Sequence, residues 1–289
     1  MNGKALIGIL CLASLGCAHS TTAPVAAPPV SESDAYYGQE MLQGVAWMQT
    51  SVEYRALAMQ AYTNATRALD AALADPTWNA LEGEAPLTAG LRPAVILDID
   101  ETCVDNSGYE ATLLQAKELH TEDRFDEFVR AGAVGTVPGA KAFLDYAISR
   151  GVDVFYVTNQ NVRLEPATRE NLRKLGLPLD ATRDNLLTVG ERPDWVSDKT
   201  SRRLFVAQDH RVILLLGDDF NDFVNASGKS LEERRAQFDR YAGRFGAKWF
   251  IIPNPVYGSW DRSLTAGAGK RAKEKFELKL KSLRVTAGD

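Results

Sequence analysis

Residues 94–106 read Ala-Val-Ile-Leu-Asp-Ile-Asp-Glu-Thr-Cys-Val-Asp-Asn, an apolar run followed at once by acidic residues. The run over 94–97 is typical of a strand that is buried on both faces of a parallel sheet. Asp98 and Asp100 follow its carboxyl end, and side chains two residues apart in extended chain point to the same side. Two buried carboxylates repel each other unless a cation compensates them, and oxygen ligands favour Mg²⁺. The stretch therefore predicts a magnesium site, with a solvated acidic loop as the alternative.

The composition of the chain fits a globular protein with its own core. Of its 289 residues, 45% are hydrophobic and 25% are charged, which suits one large domain or one domain with an appendage. The net charge is −5, or −6 without a leader that carries Lys4 and no acidic residue. The sequence has no basic stretch with interleaved aromatic residues, which argues against a nucleic acid polymer as partner.

The first seventeen residues are predicted to be an export signal. Lys4 supplies a positive start, and residues 5–15 form an apolar segment that is too short to span a bilayer. Small residues precede Cys17, as in a bacterial lipoprotein signal whose cysteine is lipidated, although Ser14 stands where Leu is usual. Cleavage after Ala18 is the alternative. Both alternatives predict an exported protein, either an outer-membrane lipoprotein or a periplasmic protein.

Residues 36–75 are predicted to form one or two helices that end before Asp75-Pro76. Apolar residues recur there at near-helical spacing and are expected to face the core, namely Met41, Leu42, Val45, Met48, Val52, Ala56 and Met59. The aromatic residues Trp47, Tyr54 and Tyr62 are interpreted as core residues, because an aromatic stripe at helical spacing is more often core than ligand site.

Strands alternate with helices in the rest of the chain. Strands are predicted over 94–97, 152–157, 186–189, 212–216 and 248–252, and helices between them include one over 110–131. This alternation predicts an α/β fold, a Rossmann-like parallel sheet with helices on both faces. The chain is accordingly divided into a lipoprotein signal peptide (1–17), a disordered tether (18–33), a helical appendage (34–90) and the α/β core (91–289).

Polar residues follow the ends of several predicted strands, where ligands of parallel sheets bind. They are Asp98 and Asp100 after the first strand, Thr158 and Asn159 after the second, Lys199 at a helix start, and Asp218 and Asp222 after the fourth strand. A lysine and Mg²⁺ can neutralise a phosphoryl group while Thr158 and Asn159 donate to its oxygens. One carboxylate can act as nucleophile and a second as general acid and base.

These residues carry a resemblance to a known superfamily. Asp98-Ile99-Asp100-Glu101-Thr102, Thr158-Asn159, Lys199 and Gly217-Asp218-Asp219-Phe220-Asn221-Asp222 resemble motifs I to IV of the haloacid dehalogenase-like phosphatases. Within it, Asp105-Asn106-Ser107, Val137-Pro138-Gly139-Ala140, and Ile252-Pro253-Asn254 with Tyr257-Gly258 and Trp260 resemble the class C acid phosphatases, which include outer-membrane lipoproteins of Gram-negative bacteria. The resemblance is close over about residues 90–262.

The resemblance implies a role for each matching residue. Asp98 would be the nucleophile that forms an aspartyl-phosphate, and Asp100 the general acid and base. The expected phosphate ligands are Thr158, Asn159 and Lys199, and the expected Mg²⁺ ligands are Asp98, the backbone carbonyl of Asp100, and Asp218, with Asp222 steadying the metal's waters. The substrate would be a phosphomonoester such as a nucleoside monophosphate, stacked on Tyr109, Phe128 and Tyr257. An acidic pH optimum is implied, and a homodimer is compatible with the family.

Three residues depart from the class C pattern. Gln160 stands where some relatives have Arg, which would weaken a contact with substrate at the rim of the site. Asp219 stands where class C enzymes commonly have Asn, and Phe128 stands where Trp is expected.

Two other functions remain open on the same fold, and one is excluded. A histidine acid phosphatase is excluded, because none of His19, His120 and His210 lies in an Arg-His-Gly sequence. His120 is interpreted as a lone surface histidine. A non-catalytic exported binding protein and a phosphotransferase that passes phosphate to an alcohol are the alternatives, since fold alone does not establish activity.

Overall fold

Five parallel strands form the central sheet of the protein. The computed structural model of the chain describes residues 36–86, 90–269 and 271–285. The strands are β1 (Arg92–Leu97), β4 (Asp153–Asn161), β5 (Leu186–Val189), β6 (His210–Gly217) and β7 (Trp249–Ile251), in the order β5-β4-β1-β6-β7. Every neighbouring pair is parallel. Two short strands absent from the sequence prediction, β2 (Val104–Asp105) and β3 (Gly135–Thr136), pair antiparallel beside it.

Helices cover the sheet and form its connections. They are α1 (Leu42–Thr50), α2 (Val52–Ala74), α3 (Ser107–Ala116), α4 (Glu122–Ala131), α5 (Ala140–Ser149), α6 (Glu165–Lys174), α7 (Thr200–Asp209), α8 (Leu231–Tyr241), α9 (Ser259–Leu264) and α10 (Ala272–Ser282). The single helix predicted over 110–131 is wrong. Lys117 ends α3 in a left-handed conformation (φ 56°), and the Thr121 side chain caps α4 by accepting from the Arg124 N–H at 3.2 Å.

The core has two apolar layers, one on each face of the sheet. On β1, Val95 and Leu97 pack in the layer that contains residues of α2 and α5, whereas Ala94 and Ile96 pack in the layer that contains Val206 of α7. These β1 side chains are 0–3% exposed, so the strand is buried on both faces as its apolar run predicts. The predicted α/β fold with helices on both faces is confirmed.

The two N-terminal helices are confirmed, but the stripe predicted to face the core is wrong at Leu42, which is 56% exposed, and again after Met48. Val52 and Met59 are 73% and 46% exposed. The buried face of α2 consists instead of Tyr54, Ala58, Tyr62, Ala65, Leu69 and Ala72, each 2% exposed or less. This face combines small alanines, which allow close packing, with two tyrosines and a leucine, so hydrophobicity alone does not identify it. Tyr54 and Tyr62 are core residues, as predicted.

The helical appendage also contacts the loop after β1, because the Tyr62 hydroxyl donates to the Thr102 carbonyl at 2.5 Å. The chain leaves β1 for β4 on one side and later returns to β6 on the other side of β1. The carboxyl ends of these three strands therefore border the crevice where parallel sheets bind ligands.

Several sequence predictions concern residues outside the described ranges. The signal peptide, the tether and the lipidation site at Cys17 lie within residues 1–35 and are not tested by the structure. Within residues 36–86, 90–269 and 271–285, none of the helices is both long enough and apolar enough to span a bilayer.

Candidate active site

A buried lysine lies between two carboxylates at the carboxyl edge of the sheet. Lys199 Nζ is 2.5 Å from Asp98 Oδ1 and 2.6 Å from Asp222 Oδ1, and the three side chains are 4%, 10% and 6% exposed. Burial by itself would lower the pKa of Lys199, but Asp222 and Asp98 outweigh burial and raise it. Lys199 is therefore charged at any physiological pH and compensates part of the acidic charge of the site.

Lys199 reaches this position because it lies at the N-cap of α7. The preceding residue, Asp198, fixes the start of the helix by accepting from the Thr200 N–H at 2.9 Å and from its hydroxyl at 2.7 Å. Asp98 directly follows β1, and its backbone N–H donates to the Leu216 carbonyl of β6 at 3.0 Å.

The loop after β6 folds back so that Asp218 and Asp222 lie beside Asp98. Asp222 Oδ2 accepts from the Asp219 N–H at 2.9 Å, which closes a tight turn. A Cβ at position 217 would lie 2.2 Å from Asp222 Oδ2, so only glycine permits this packing. Asp218 is held by Asn254, whose Nδ2 donates to Oδ2 at 2.8 Å, and by the Thr102 hydroxyl, which donates to Oδ1 at 3.3 Å.

Asp219, which departs from the class C pattern, is surrounded by donors. It accepts from the Asn221 N–H at 2.8 Å and from both the N–H and the hydroxyl of Ser259. A carboxylate only accepts hydrogen bonds, so it suits this environment at least as well as an amide. The contact also ties the loop after β6 to the start of α9.

The carboxyl group of Asp100 is fixed by two amides. Asn106 Nδ2 and Gln160 Nε2 donate to Oδ1 at 2.6 Å and 2.8 Å, and the Thr158 hydroxyl lies 3.4 Å from Oδ2. Burial raises the pKa of Asp100, and these hydrogen bonds offset only part of that effect. Gln160 is 6% exposed and also accepts from Thr168, so it is a buried partner of Asp100.

Three acids at this edge are close enough to share one cation. Oxygens of Asp98, Asp218 and Asp222 all lie within 4.8 Å of one another. Burial and the repulsion from Asp222 and Asp98 raise the pKa of Asp218 well above its usual range. Burial likewise raises the pKa of Asp222 to about 7, although Lys199 opposes the shift. Lys199 therefore balances only part of the negative charge that the three carboxylates carry when they are ionised.

Aromatic residues of α3 and α4 form a separate cluster. Tyr109 packs against Phe125 and Phe128 with ring centroids 5.4 Å and 5.3 Å apart, and its hydroxyl lies 2.9 Å from His120 Nδ1. The interpretation of His120 as a surface residue is confirmed, because its side chain is 55% exposed, but the contact with Tyr109 shows that it is not a lone residue. Tyr109 is 3% exposed, whereas Phe128 is partly exposed. Tyr257 lies on another loop, where its N–H donates to Asn254 Oδ1 at 3.4 Å.

The structure thus brings most of the predicted residues to one place. Asp98, Asp218, Asp222 and Lys199 form the acidic cluster, and Asp100 with Thr158 lies next to it. The Asn159 side chain is turned toward α7, where its Oδ1 accepts from Arg202 at 2.8 Å. The contacts of Asn106 and Gln160 with Asp100, and the part played by Arg202, were not predicted from the sequence.

Comparison with known proteins assigns the chain to a family. A family model described as HAD superfamily, subfamily IIIB (Acid phosphatase), matches residues 12–260. The chain belongs to this family. The resemblance to haloacid dehalogenase-like acid phosphatases is thereby confirmed, and membership places the chain among phosphoric monoester hydrolases.

Individual relatives agree with the family assignment. The class C acid phosphatase from Bacillus anthracis is 31% identical and superimposes with a TM-score of 0.76, covering 87% of this chain and 99% of that chain. A second structure of that enzyme, with tungstate bound, gives the same TM-score and identity. Acid phosphatase 1 from Solanum lycopersicum is 25% identical over 173 residues, and the chain spans 59% of the length of that relative.

The acidic cluster fits the divalent cation that phosphatases of this superfamily generally use. Its donor atoms are carboxylate oxygens, the ligands preferred by Mg²⁺ and other hard cations. Three carboxylates share this site with one lysine, and burial followed by mutual repulsion raises the pKa values of Asp218 and Asp222, so a bound cation would stabilise their ionised forms. The residues that would hold the cation are Asp98, Asp218 and Asp222.

The acidic cluster predicts how the stability of the metal-free protein depends on pH. Asp98, Asp218 and Asp222 all have raised pKa values, so the folded state binds more protons than the unfolded state. The contribution of these three groups to stability is therefore full below about pH 4, the pKa of an unfolded aspartate, and is lost as the pH rises toward 7. Thermal unfolding in EDTA should show this loss, and Mg²⁺ should restore more stability at pH 7.5 than at pH 5.

The matched control for this experiment is Asp222→Asn, which removes one charge from the cluster. Between pH 5 and 7.5 its free energy of unfolding should fall less than that of the wild type, by on the order of 1 kcal/mol, because one of the groups with a raised pKa is missing. Equal pH dependence of the two proteins would contradict the electrostatic account of the cluster.

Proposed function

We propose that the protein is a Mg²⁺-dependent acid phosphatase that hydrolyses phosphomonoesters through an aspartyl-phosphate on Asp98. The observation that carries this proposal is the ion pair of Asp98 with the buried Lys199, beside a second carboxyl group, Asp100, that two amides hold in place. The tungstate bound to the Bacillus anthracis relative supports it further, because tungstate is a tetrahedral oxyanion like phosphate.

The first half of the reaction would transfer the phosphoryl group to the protein. An oxygen of Asp98 attacks phosphorus, and the bond between phosphorus and the ester oxygen breaks. Asp100 donates its proton to that leaving oxygen. Burial raises the pKa of Asp100, which keeps the proton available at acidic pH, while Asn106 and Gln160 hold the carboxyl group in one orientation.

The second half would release inorganic phosphate. Asp100, now ionised, takes a proton from a water molecule whose oxygen attacks phosphorus. The bond between phosphorus and Asp98 breaks, and the starting carboxylate is restored. An alcohol in place of this water would give phosphotransfer, because both reactions share the same intermediate.

Thr158, Asn159 and Lys199 are proposed to bind the phosphoryl group. Thr158 is buried at the end of β4 with its hydroxyl near Asp100, and Lys199 brings a full positive charge to Asp98. Such groups stabilise the charge that spreads over phosphoryl oxygens during transfer. Mg²⁺ held by Asp98, Asp218 and Asp222, together with the backbone carbonyl of Asp100, would add positive charge at the same place.

A nucleoside monophosphate is the proposed substrate class. Phe128 and Tyr257 are partly exposed rings on two different segments, and stacking on aromatic rings tolerates different bases. Tyr109 is buried against Phe128, with ring centroids 5.3 Å apart, so a base would not enter between these two rings. Tyr109 would therefore act by supporting Phe128 from behind.

The proposed chemistry predicts metal-dependent hydrolysis that needs Asp98. Wild-type protein should hydrolyse p-nitrophenyl phosphate and 5′-nucleotides with Mg²⁺ and lose that activity in EDTA. Asp98→Asn should lower kcat by roughly 10³-fold or more, because the variant lacks the nucleophile. Release of p-nitrophenol and of inorganic phosphate measures both effects, and higher kcat/KM for 5′-nucleotides would support the aromatic site.

Circular dichroism and tungstate binding by Asp98→Asn serve as controls for an intact fold and oxyanion site. Turnover that survives Asp98→Asn would exclude Asp98 as nucleophile. Absence of turnover on every substrate, in folded protein that binds Mg²⁺, would favour a non-catalytic binding protein.

We also propose that the protein is exported and anchored through a lipid on Cys17. The basic start, the short apolar segment and the small residues before Cys17 support this proposal. Mass spectrometry of the N-terminal peptide from a Gram-negative host tests it. An acylated Cys17 is expected, whereas an unmodified N-terminus at His19 would indicate ordinary signal cleavage and a periplasmic protein.

A further inference from the structure

Two adjacent arginines at the start of α7 are almost completely buried. Arg202 and Arg203 are 0% and 1% exposed, and they follow Lys199 by one turn of the helix. A buried guanidinium is costly unless its hydrogen bonds are satisfied, so the partners of each arginine indicate its purpose. These partners lie on two different loops of the site.

Arg202 holds the segment at the end of β4. Its Nη1 donates to the Thr158 carbonyl, and its Nη2 donates to Asn159 Oδ1 at 2.8 Å and to the Val196 carbonyl at 2.7 Å. These acceptors are neutral oxygens. Burial lowers the pKa of Arg202 to about 10, which still leaves the guanidinium charged at neutral pH.

The contact with the Thr158 carbonyl sets the direction of the next peptide group. The same Nη1 lies 3.5 Å from the Leu187 carbonyl, so the Thr158 carbonyl faces the β5 side of β4. In a planar trans peptide the carbonyl and the following N–H point in opposite directions. The Asn159 N–H is therefore directed toward β1, the strand that Asp98 directly follows.

Arg203 holds the loop after β6 instead. Its Nη1 donates to the backbone carbonyl of Asp222 at 3.1 Å. Its Nη2 is anchored by Glu84 Oε2 at 3.0 Å and by the Thr200 hydroxyl at 3.1 Å. The carbonyl of Asp222 is thus fixed from the side of α7, while Lys199 contacts its carboxylate.

We propose that Arg202 and Arg203 are positioning residues with separate tasks. Arg202 fixes the position of the segment of Thr158 and Asn159, which would bind phosphate. Arg203 fixes the position of the loop of Asp218 and Asp222, which would bind the divalent cation. This inference rests on the proposed function, because it takes these two segments as the phosphate and cation sites. Three residues at the start of α7 then hold both sites in place beside Asp98. Lys199 contacts Asp98 itself, Arg202 contacts the phosphate segment, and Arg203 contacts the cation loop.

The test compares Arg202→Lys with Arg203→Lys in the full chain, each the matched control of the other. Both keep the positive charge but lose the fork of donors that grips several oxygens. Tungstate binding is measured by calorimetry at saturating Mg²⁺, and Mn²⁺ binding is measured by electron paramagnetic resonance without oxyanion. Thermal unfolding of each variant shows whether it is folded.

Arg202→Lys should weaken tungstate binding by about tenfold and leave Mn²⁺ binding within about twofold of the wild type. Arg203→Lys should weaken Mn²⁺ binding by about tenfold and leave tungstate binding within about twofold. Glu84 lies outside the loop and is the charged partner of Arg203. Glu84→Gln removes that charge and should also weaken Mn²⁺ binding, as Arg203→Lys does.

Three results would overturn the inference. The first is an equal loss of tungstate and Mn²⁺ affinity in both variants, and the second is unchanged affinity for both ligands in both variants. The third is failure of either lysine variant to fold, which would assign that arginine to stability alone. The outcome is independent of turnover. Wild-type protein that binds tungstate and Mn²⁺ but hydrolyses nothing would refute the proposed function and leave this test valid.

Discussion

The structure of the site depends on the repulsion among carboxylates gathered at the carboxyl edge of one sheet. Carboxylate oxygens of Asp98, Asp218 and Asp222 lie within 4.8 Å of one another, and the three residues are buried or partly buried. Lys199 compensates part of this charge by touching two of the three acids. Burial, together with the repulsion that Lys199 leaves uncompensated, raises the pKa values of Asp218 and Asp222 and makes a divalent cation a suitable partner of the cluster.

The fold holds these charges together by surrounding them with neutral donors and close backbone packing. Asn254 and Thr102 donate to Asp218, and Gly217 leaves room for the carboxylate of Asp222. The N-terminal helices belong to the same arrangement, because Leu69 and Ala72 of α2 share an apolar layer with β1, and Tyr62 supports the loop that follows it. The N-terminal helices thus support this edge of the sheet together with the α/β part of the chain.

Features fixed by neighbouring residues could be predicted from the sequence. The apolar run before Asp98 predicts a strand, and the positions of Thr158 and Asp218 after other strands predict that all three meet at one edge. Contacts between distant residues could not be predicted in this way. Gln160 is 60 residues from Asp100 in sequence and Arg202 is 44 residues from Thr158, so no local pattern reveals either contact.

Predictions of which helix face is buried failed for a related reason. Hydrophobicity favoured Val52 and Met59 for the core, but α2 packs against the rest of the protein through another face, which contains Tyr54, Tyr62, Leu69 and three alanines. The partner of His120 was missed because Tyr109 lies eleven residues earlier, in the first turn of α3. The two rings come together only when the chain after α3 folds back.

The central claim is that Asp98 carries the phosphoryl group during turnover. The most direct test is rapid acid quenching with a 5′-nucleotide and Mg²⁺, followed by borohydride reduction and peptide mass spectrometry. An acyl phosphate on Asp98 is reduced to homoserine, so this account predicts homoserine at position 98 in the wild type and none without substrate. A phosphoryl group on another residue, or steady turnover with Asp98 never modified, would contradict it.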